Sequence, residues 1–259
     1  MPEHCIAIIA AMNMEFNYIK KKMAIKKSGW EKGFKTAMHI SGDLRIILIK
    51  SGMGLEKAYR ATRFLLENHD ICAVINIGIA GALKPGLNIG DLVLGEEIGE
   101  EINSKDHKIY RSHTRVVEIL KKILFKWQNS GIKKKNWYKG NIISVKKLVG
   151  KERKCLLYRK FNALVADMEA AAIIKVCENI PFATIKSISD PADESLGMSE
   201  DVMTDQGKIN LGKLIPMLIF HPLSTVKSFK YMIKSMKSAL SSLEFLIKEL
   251  PAMAEALKE

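Results

Sequence analysis

Short apolar runs alternate with amphipathic stretches through most of the chain. The runs CIAIIAA at 5–11, LRIILIK at 44–50 and ICAVINIGI at 71–79 are typical of strands that are covered on both faces. Further strands are predicted at 92–94, 141–145 and 182–188. Helices are predicted between the strands, namely one that carries Glu15, Phe16, Ile19 and Met23, one at 55–67 and one at 167–180. The alternation predicts an α/β domain with a largely covered sheet over residues 1 to 205.

Glycine-rich segments follow two of these strands. SGMG at 51–54 predicts a tight turn into the helix at 55–67. AGALKPG at 80–86 predicts a loop, because glycine and proline interrupt regular structure.

Residues 206–259 have a different pattern and are predicted to form a helical extension. Apolar residues recur there at alternating spacings of three and four, which is typical of a helix with one narrow apolar seam. The seam consists of Val226, Phe229, Ile233, Met236, Leu240, Leu243 and Ile247, and the lysines beside it are Lys227, Lys230, Lys234 and Lys237. Two interpretations stay open: the seam packs against the domain or a second subunit, or it docks on a membrane interface.

Positive charge is concentrated in one segment of the chain. The whole chain carries 41 Lys and Arg against 28 Asp and Glu, a net charge of +13. Residues 105–160 hold 18 of the basic residues and three of the acidic ones, so this segment carries +15 and the remainder −2. It includes three lysines at 133–135 beside Trp137 and Tyr138. Such a patch suits RNA, an anionic membrane surface or a phosphate-bearing ligand, and a merely solvated face is the alternative.

No segment of the sequence is long enough and apolar enough to cross a bilayer. The longest stretches without a charged side chain, 71–83 and 214–226, have 13 residues each, against roughly 18 to 20 needed. Glu3 and His4 precede an apolar run of six residues, which does not match a signal peptide. We therefore expect a cytoplasmic protein. The four cysteines are far apart and form no CxxC pair, so neither a zinc site nor a disulfide framework is indicated.

Three carboxylates border predicted strands. Glu15 follows the first strand, Glu169 stands near the start of a helix, and Asp190 ends a strand. Taken singly, each suits a helix cap or a solvated acid. Ligand sites of α/β sheets gather at the carboxyl ends of strands, so together the three acids predict a site.

Five segments, in matching order over about residues 5–200, resemble the nucleoside phosphorylase and nucleosidase superfamily. They are AAMNMEF at 10–16, SGMG at 51–54, NIGIAGALKPGLNIGD at 76–91, VADMEAAAI at 165–173 and IKSISDPAD at 185–193. The pairing of a DMEAAA-type helix with an SISDPAD-type strand end is the most specific part. The resemblance implies a three-layer phosphorylase/hydrolase-like fold with a mixed central sheet, and an enzyme that cleaves the N-glycosidic bond of a purine nucleoside without a metal or cofactor.

The resemblance also implies roles for residues around the base and the sugar. Asp190, with Ser189 and Gly81 beside it, matches the aspartate that protonates or hydrogen-bonds purine N7 and so makes the base a better leaving group. Glu169 and Met168 match the residues that hold the ribose. Contacts to the hydroxyls can strengthen as the ring flattens towards an oxocarbenium ion.

Glu15 matches the nucleosidase glutamate that orients and deprotonates an attacking water. Gly54, Gly78, Ile79 and Lys186 complete the predicted nucleophile pocket. The chain departs from the family here, because Ile79 stands where a serine is frequent and Lys186 where many members have an arginine. No arginine precedes the glycine loop, where one phosphate-using branch carries it. These departures favour hydrolysis over phosphorolysis, which stays open.

Several finer features resemble the hopanoid-associated branch, whose members remove adenine from adenosylhopane. They are the apolar SGMG and GIAGAL segments, the SDPAD form of the last motif and the helices after residue 205. A sterol-like 5′ substituent resides in a bilayer. The basic segment and the amphipathic tail with PMLIFHP at 216–222 would bring the enzyme to the inner face of a membrane.

We therefore predict release of adenine from adenosylhopane in hopanoid biosynthesis, with peripheral contact to an anionic membrane as a hypothesis. A methylthioadenosine/adenosylhomocysteine nucleosidase is the alternative. A non-catalytic nucleic-acid-binding protein that uses Trp127, Trp137 and Tyr138 is an alternative of another class, and the intact acids argue against it. Because the family shares sites between subunits, we expect a homo-oligomer.

Overall fold

The computed structural model describes residues 4–102, 107–131, 136–194 and 222–257. The strands in these ranges are β1 (His4–Ala10), β2 (Ser28–Glu31), β3 (Phe34–Ser41), β4 (Leu44–Lys50), β5 (Ala73–Ala82), β6 (Leu92–Glu101), β7 (His107–Arg111), β8 (Trp137–Ser144), β9 (Ala163–Asp167) and β10 (Phe182–Asp190). The helices are α1 (Asn13–Lys22), α2 (Leu55–Asn68), α3 (Thr114–Asn129), α4 (Lys151–Phe161), α5 (Ala170–Cys177), α6 (Pro222–Ser242) and α7 (Glu244–Ala256).

All ten of these strands belong to one mixed sheet, as predicted. The strand order is β10-β6-β8-β9-β5-β1-β4-β3-β2, with β7 paired to β6 and β10 also paired to β5. β1 pairs in parallel with both β4 and β5, whereas β3 runs antiparallel to β4. Because β5 pairs with both β9 and β10, the strands β5, β10, β6, β8 and β9 close into a ring. The sheet is therefore partly rolled into a barrel rather than fully open.

Helices cover both faces of the sheet, which explains why its strands have continuous apolar sequences. Along β1, Ile6, Ile8 and Ala10 enter the core beneath α1, α3 and α7, whereas Cys5, Ala7 and Ile9 enter the core beneath α2 and α5. Successive side chains of a strand point to opposite faces, so a strand buried on both faces shows no polar alternation. The predicted three-layer α/β architecture is confirmed.

Two local predictions near the site were wrong. Residues 80–82, predicted as loop, belong to β5, because Gly81 and Ala82 pair with Ala166 and Val165 of β9. The stretch 167–180, predicted as one helix, begins with the end of β9, and only Ala170–Cys177 is helical. Asp167 accepts a hydrogen bond from the N–H of Ala170 at 3.0 Å and so precedes the helix instead of belonging to it.

The residues of the C-terminal seam lie on two helices and not on the single helix predicted, because the helix is interrupted at Leu243 between α6 and α7. Leu240, Leu243 and Ile247 are buried in the core of the domain, whereas Val226 is 43 % exposed. The seam therefore packs against the domain in its C-terminal half. The segment 216–221, the lysines at 133–135 and the predicted boundary at 205/206 lie outside the described residues. Within the described ranges, no helix combines the length and the hydropathy needed to cross a membrane.

Candidate active site

A cavity of about 150 Å³ lies at the carboxyl ends of β1, β5, β9 and β10. Glu15, Glu169 and Asp190 all line it, although they are far apart in the sequence. The cavity is also lined by four further residues from the sequence-based predictions: Ile79, Gly81, Met168 and Ser189. Three other predicted residues lie just behind the cavity wall. Gly54 and Lys186 approach the carboxylate of Glu169, and Gly78 approaches that of Glu15.

The carboxylate of Glu15 is held by three backbone N–H groups. Oε2 accepts from Ala11 at 2.9 Å and from Met12 at 2.8 Å, and Oε1 accepts from Ile79 at 2.9 Å. The side chain is 2 % exposed. Burial raises the pKa of Glu15 above its ordinary value, although Lys186 and the three N–H groups act in the opposite direction. Glu15 is therefore an oriented carboxylate with enhanced basicity, which suits a general base.

Gly78 allows this arrangement because it has no side chain. A Cβ atom at position 78 would lie 2.7 Å from Oε1 of Glu15. The glycine of the GIAG segment is thus required by the close approach of a carboxylate. The GIAG segment at 78–81 lies within β5, and Glu15 is contacted there by the backbone N–H of Ile79 and not by a serine hydroxyl.

Glu169 precedes the first turn of α5 and reaches across to the turn after β4. Its Oε1 accepts a hydrogen bond from the N–H of Gly54 at 3.0 Å. Gly54 has a φ of +101°, a conformation that favours glycine. Burial, with added repulsion from Asp167 and Glu15, raises the pKa of Glu169 to about 7 against the attraction of Lys186.

Lys186 is a buried cation that neutralises part of this acidic cluster. Its Nζ lies 2.8 Å from Oδ2 of Asp167 and 4.0 Å from Oε2 of Glu169. Burial acts to lower the pKa of Lys186, but Asp167, Glu169 and Glu15 together raise it above its ordinary value. Asp167 also accepts from Ser144 Oγ at 2.5 Å. The ammonium of Lys186 is therefore paired with these carboxylates and is not free to bind an anion in the cavity.

Asp190 ends β10 between a hydroxyl and a buried ammonium. Its Oδ1 accepts from Ser189 Oγ at 2.6 Å, and its Oδ2 contacts Nζ of Lys154 on α4. Gly81 lies opposite, where a Cβ would be 3.0 Å from Oδ2. The neighbouring strands β5 and β10 bring Gly81 and Asp190 into register. Asp190 is thus fixed at the wall of the cavity with both oxygens oriented.

The remaining wall of the cavity is largely apolar. Methionine side chains approach it from the α1 turn, the turn after β4, the start of α5 and helix α6. They are Met12, Met53, Met168, Met232 and Met236. Methionine is flexible and polarizable, so such a wall adapts to apolar ligands of different shapes.

Comparison with known families identifies the chain. Residues 5–214 match the family described as the phosphorylase superfamily. The chain belongs to the phosphorylase superfamily. The prediction of an enzyme from this superfamily is thereby confirmed.

Named relatives of this superfamily member are nucleosidases. The chain is 24 % identical over 226 residues to 5′-methylthioadenosine/S-adenosylhomocysteine nucleosidase of Exiguobacterium, a match that covers 81 % of this chain and 95 % of the relative. The corresponding enzyme of Neisseria meningitidis, solved with methylthio-immucillin-A, superposes with a TM-score of 0.73 at 21 % identity and covers 96 % of this chain and 99 % of its own. Futalosine hydrolase of Helicobacter pylori superposes with a TM-score of 0.67 at 21 % identity, over 89 % of this chain and 97 % of its own.

The sequence analysis missed two buried polar residues of this superfamily member's cavity, Asp167 and Lys154. Asp167 directly precedes Met168 and Glu169, and its position at the end of an apolar strand was a usable signal. Lys154 is one of the 18 basic residues of segment 105–160 and carried no signal that set it apart from its neighbours. Only the packing of α4 shows that Lys154 is buried whereas Lys151 of the same helix is exposed.

Proposed function

We propose that this protein hydrolyses the N-glycosidic bond of an adenine nucleoside that carries a large apolar 5′ substituent, with adenosylhopane as the candidate substrate. The proposal rests on one observation: Glu15, Glu169 and Asp190 line a single cavity whose other walls are mostly apolar.

The Asp190 end of the cavity suits the leaving base. When the bond between C1′ and N9 breaks, its electron pair moves onto the purine, and an acid at N7 stabilises that charge. Asp190 is buried, and the Ser189 hydroxyl fixes the direction of its carboxylate. We assign Asp190 to purine N7.

The other two acids suit the sugar and the water. Glu169 can accept hydrogen bonds from ribose hydroxyls, with the thioether of Met168 beside the ring, while its own position is fixed by Gly54. Glu15 can take a proton from a water that attacks C1′, because its carboxylate is oriented and its pKa is raised. The products would be adenine and the free sugar.

The charge of the site supports water over phosphate as the nucleophile. In the part of the chain that the structure describes, the buried ionisable groups in and directly behind the cavity wall are the acids Glu15, Asp167, Glu169 and Asp190 and the lysines Lys154 and Lys186. Both ammonium groups are already paired with carboxylates. Among the described residues, a phosphate anion would therefore meet buried carboxylates and no buried cation that is not already paired, which is unfavourable in a desolvated site.

Helix α6 supports the choice of an apolar 5′ substituent and of a membrane as its source. Met232 and Met236 of α6 line the cavity, while Lys230, Lys234 and Lys237 of the same helix are exposed. An apolar ligand would thus enter beside a helix whose outer side attracts anionic head groups.

The test is adenine release from three substrates, each with and without phosphate. The substrates are methylthioadenosine, adenosylhomocysteine and an adenosine with a long 5′-alkyl chain. We expect release in all conditions to be independent of phosphate, and kcat/KM to be highest for the alkyl compound. Asp190→Asn is expected to abolish release while the protein stays folded, and unchanged turnover in this variant would remove Asp190 from the mechanism.

A nucleosidase for methylthioadenosine and adenosylhomocysteine is the second candidate, and the names of the relatives favour it. A preference of at least tenfold in kcat/KM for either of these substrates over the alkyl compound would favour it over the apolar substrate. Absence of adenine release from all three would leave the non-catalytic, nucleic-acid-binding alternative.

A further inference from the structure

Lys154 is a buried lysine whose ammonium is directed at Asp190 from outside the strands that carry the motifs. Its side chain is 1 % exposed. Besides Oδ2 of Asp190, its Nζ donates to the carbonyl oxygens of Pro191 and Glu194, each at 2.7 Å. The three N–H donors of the ammonium are therefore all used within one short segment of chain.

The leaving base raises a problem of proton supply. A carboxylate that carries no proton has none to give to N7, so Asp190 needs a proton donor beside it. The ammonium of Lys154 is in direct contact with Oδ2 of Asp190, so it can pass a proton to this carboxylate as the carboxylate protonates the base. The ammonium thus carries the proton that a lone carboxylate would lack.

We propose that Lys154 supplies the proton that Asp190 passes to the leaving purine. This inference rests on the proposed function. As the bond between C1′ and N9 breaks and its electron pair moves to the base, a proton moves from Nζ to Oδ2 and from Oδ2 to N7. Lys154 is left as a neutral amine and Asp190 as a carboxylate, and the amine regains a proton from solvent after the base has left.

The contacts of Lys154 are compatible with both protonation states. The neutral amine keeps two N–H donors, which suffice for the carbonyl oxygens of Pro191 and Glu194. The loss of the proton therefore leaves neither carbonyl without a partner. Lys154 acts through Asp190 and is a positioning and proton-supplying residue.

The experiment compares two leaving groups on the same sugar. One substrate is the adenine nucleoside that the wild type cleaves best, and the other is the 4-nitrophenyl riboside with the same 5′ substituent, whose leaving group needs no proton. For Lys154→Met we expect adenine release to fall by about 100-fold or more, while nitrophenol release falls by less than about fivefold. Lys151→Met, an exposed position on the same helix, is the matched control and should leave both rates unchanged.

Lys154→Arg separates proton supply from charge. Arginine keeps the positive charge and its donors but does not release a proton at accessible pH. We expect Lys154→Arg to lose adenine release and to retain nitrophenol release. Retained adenine release in Lys154→Arg, or an equal loss of both products in Lys154→Met, would overturn the proposal. A wild type that cleaves neither substrate would instead refute the proposed function, and the inference with it.

Discussion

Replacement of Glu169 by glutamine should make the protein more stable at alkaline pH while impairing its activity. Glu169 is 5 % exposed and lies near Asp167 and Glu15, both of which raise its pKa. The amide oxygen of glutamine can still accept the hydrogen bond from Gly54. Glutamine thus mimics the protonated acid and removes the cost of a buried negative charge.

The size and sign follow from the pKa of Glu169, which rises from 4.5 to about 7 on folding. Between these pH values the folded state binds more protons than the unfolded state, so the wild type loses stability as the pH rises. At about 1.36 kcal/mol per pH unit, the loss at pH 8 is roughly 3 kcal/mol. Glu169→Gln does not undergo this loss, so the advantage over the wild type should be roughly 3 kcal/mol at pH 8 and under about 1 kcal/mol at pH 5.

Denaturant unfolding at pH 5 and pH 8 measures this difference. In a chain of this size, 3 kcal/mol corresponds to a rise in Tm of roughly 6 to 12 °C. Glu56→Gln, an exposed position in the first turn of α2, is the control and should show no such pH-dependent gain. A Glu169→Gln protein that is no more stable than the wild type at pH 8, or equally stabilised at both pH values, would refute the reasoning.

Three further predictions concern the nucleophile and the membrane. Gly78→Ala should lower kcat about tenfold or more with little change in KM, because the added Cβ would displace Oε1 of Glu15. Gly29→Ala is the control, since no atom lies within 4 Å of a Cβ at that position. A Gly78→Ala variant with unchanged kcat would contradict the close approach of Glu15 to position 78. Glu15→Gln should keep nucleoside affinity in a binding assay and lose turnover by about 100-fold, and a fully active variant would disprove its role as base. In sedimentation with anionic vesicles, the protein should bind less as salt increases, and Lys230→Glu with Lys234→Glu should weaken binding further; protein that stays in the supernatant at low salt would exclude the membrane hypothesis.

Strand patterns and motif order were sufficient to predict much of the fold and site. The continuous apolar run at 5–11 predicted a covered strand, and β1 is covered on both faces. The acids Glu15, Glu169 and Asp190 were predicted to lie together, and in the structure all three line one cavity. Such features can be read locally: a strand buried on both faces has a continuous apolar sequence, and a carboxylate at a strand end directly follows such a run.

Long-range pairing explains the local errors in the prediction. Gly81 and Ala82 form a strand only because β9 pairs with them, and no nearby residue signals this partner. The closed ring of strands likewise depends on β5 pairing with β10 as well as with β9. Tertiary contacts override the weak local preference of glycine for a loop.

By itself, the sequence determined the α/β architecture, the superfamily and the three acids that line the cavity, because periodicity and ordered motifs are properties of neighbouring residues. Lys186 was also predicted, but only the tertiary structure decided that Lys154 belongs beside Asp190. Lys154 and Lys151 stand three positions apart on one helix, yet one is buried against Asp190 and the other is exposed. Which side of α4 faces the cavity depends on how the helix packs against β8 and β9, and that packing also determines which charges are desolvated and paired.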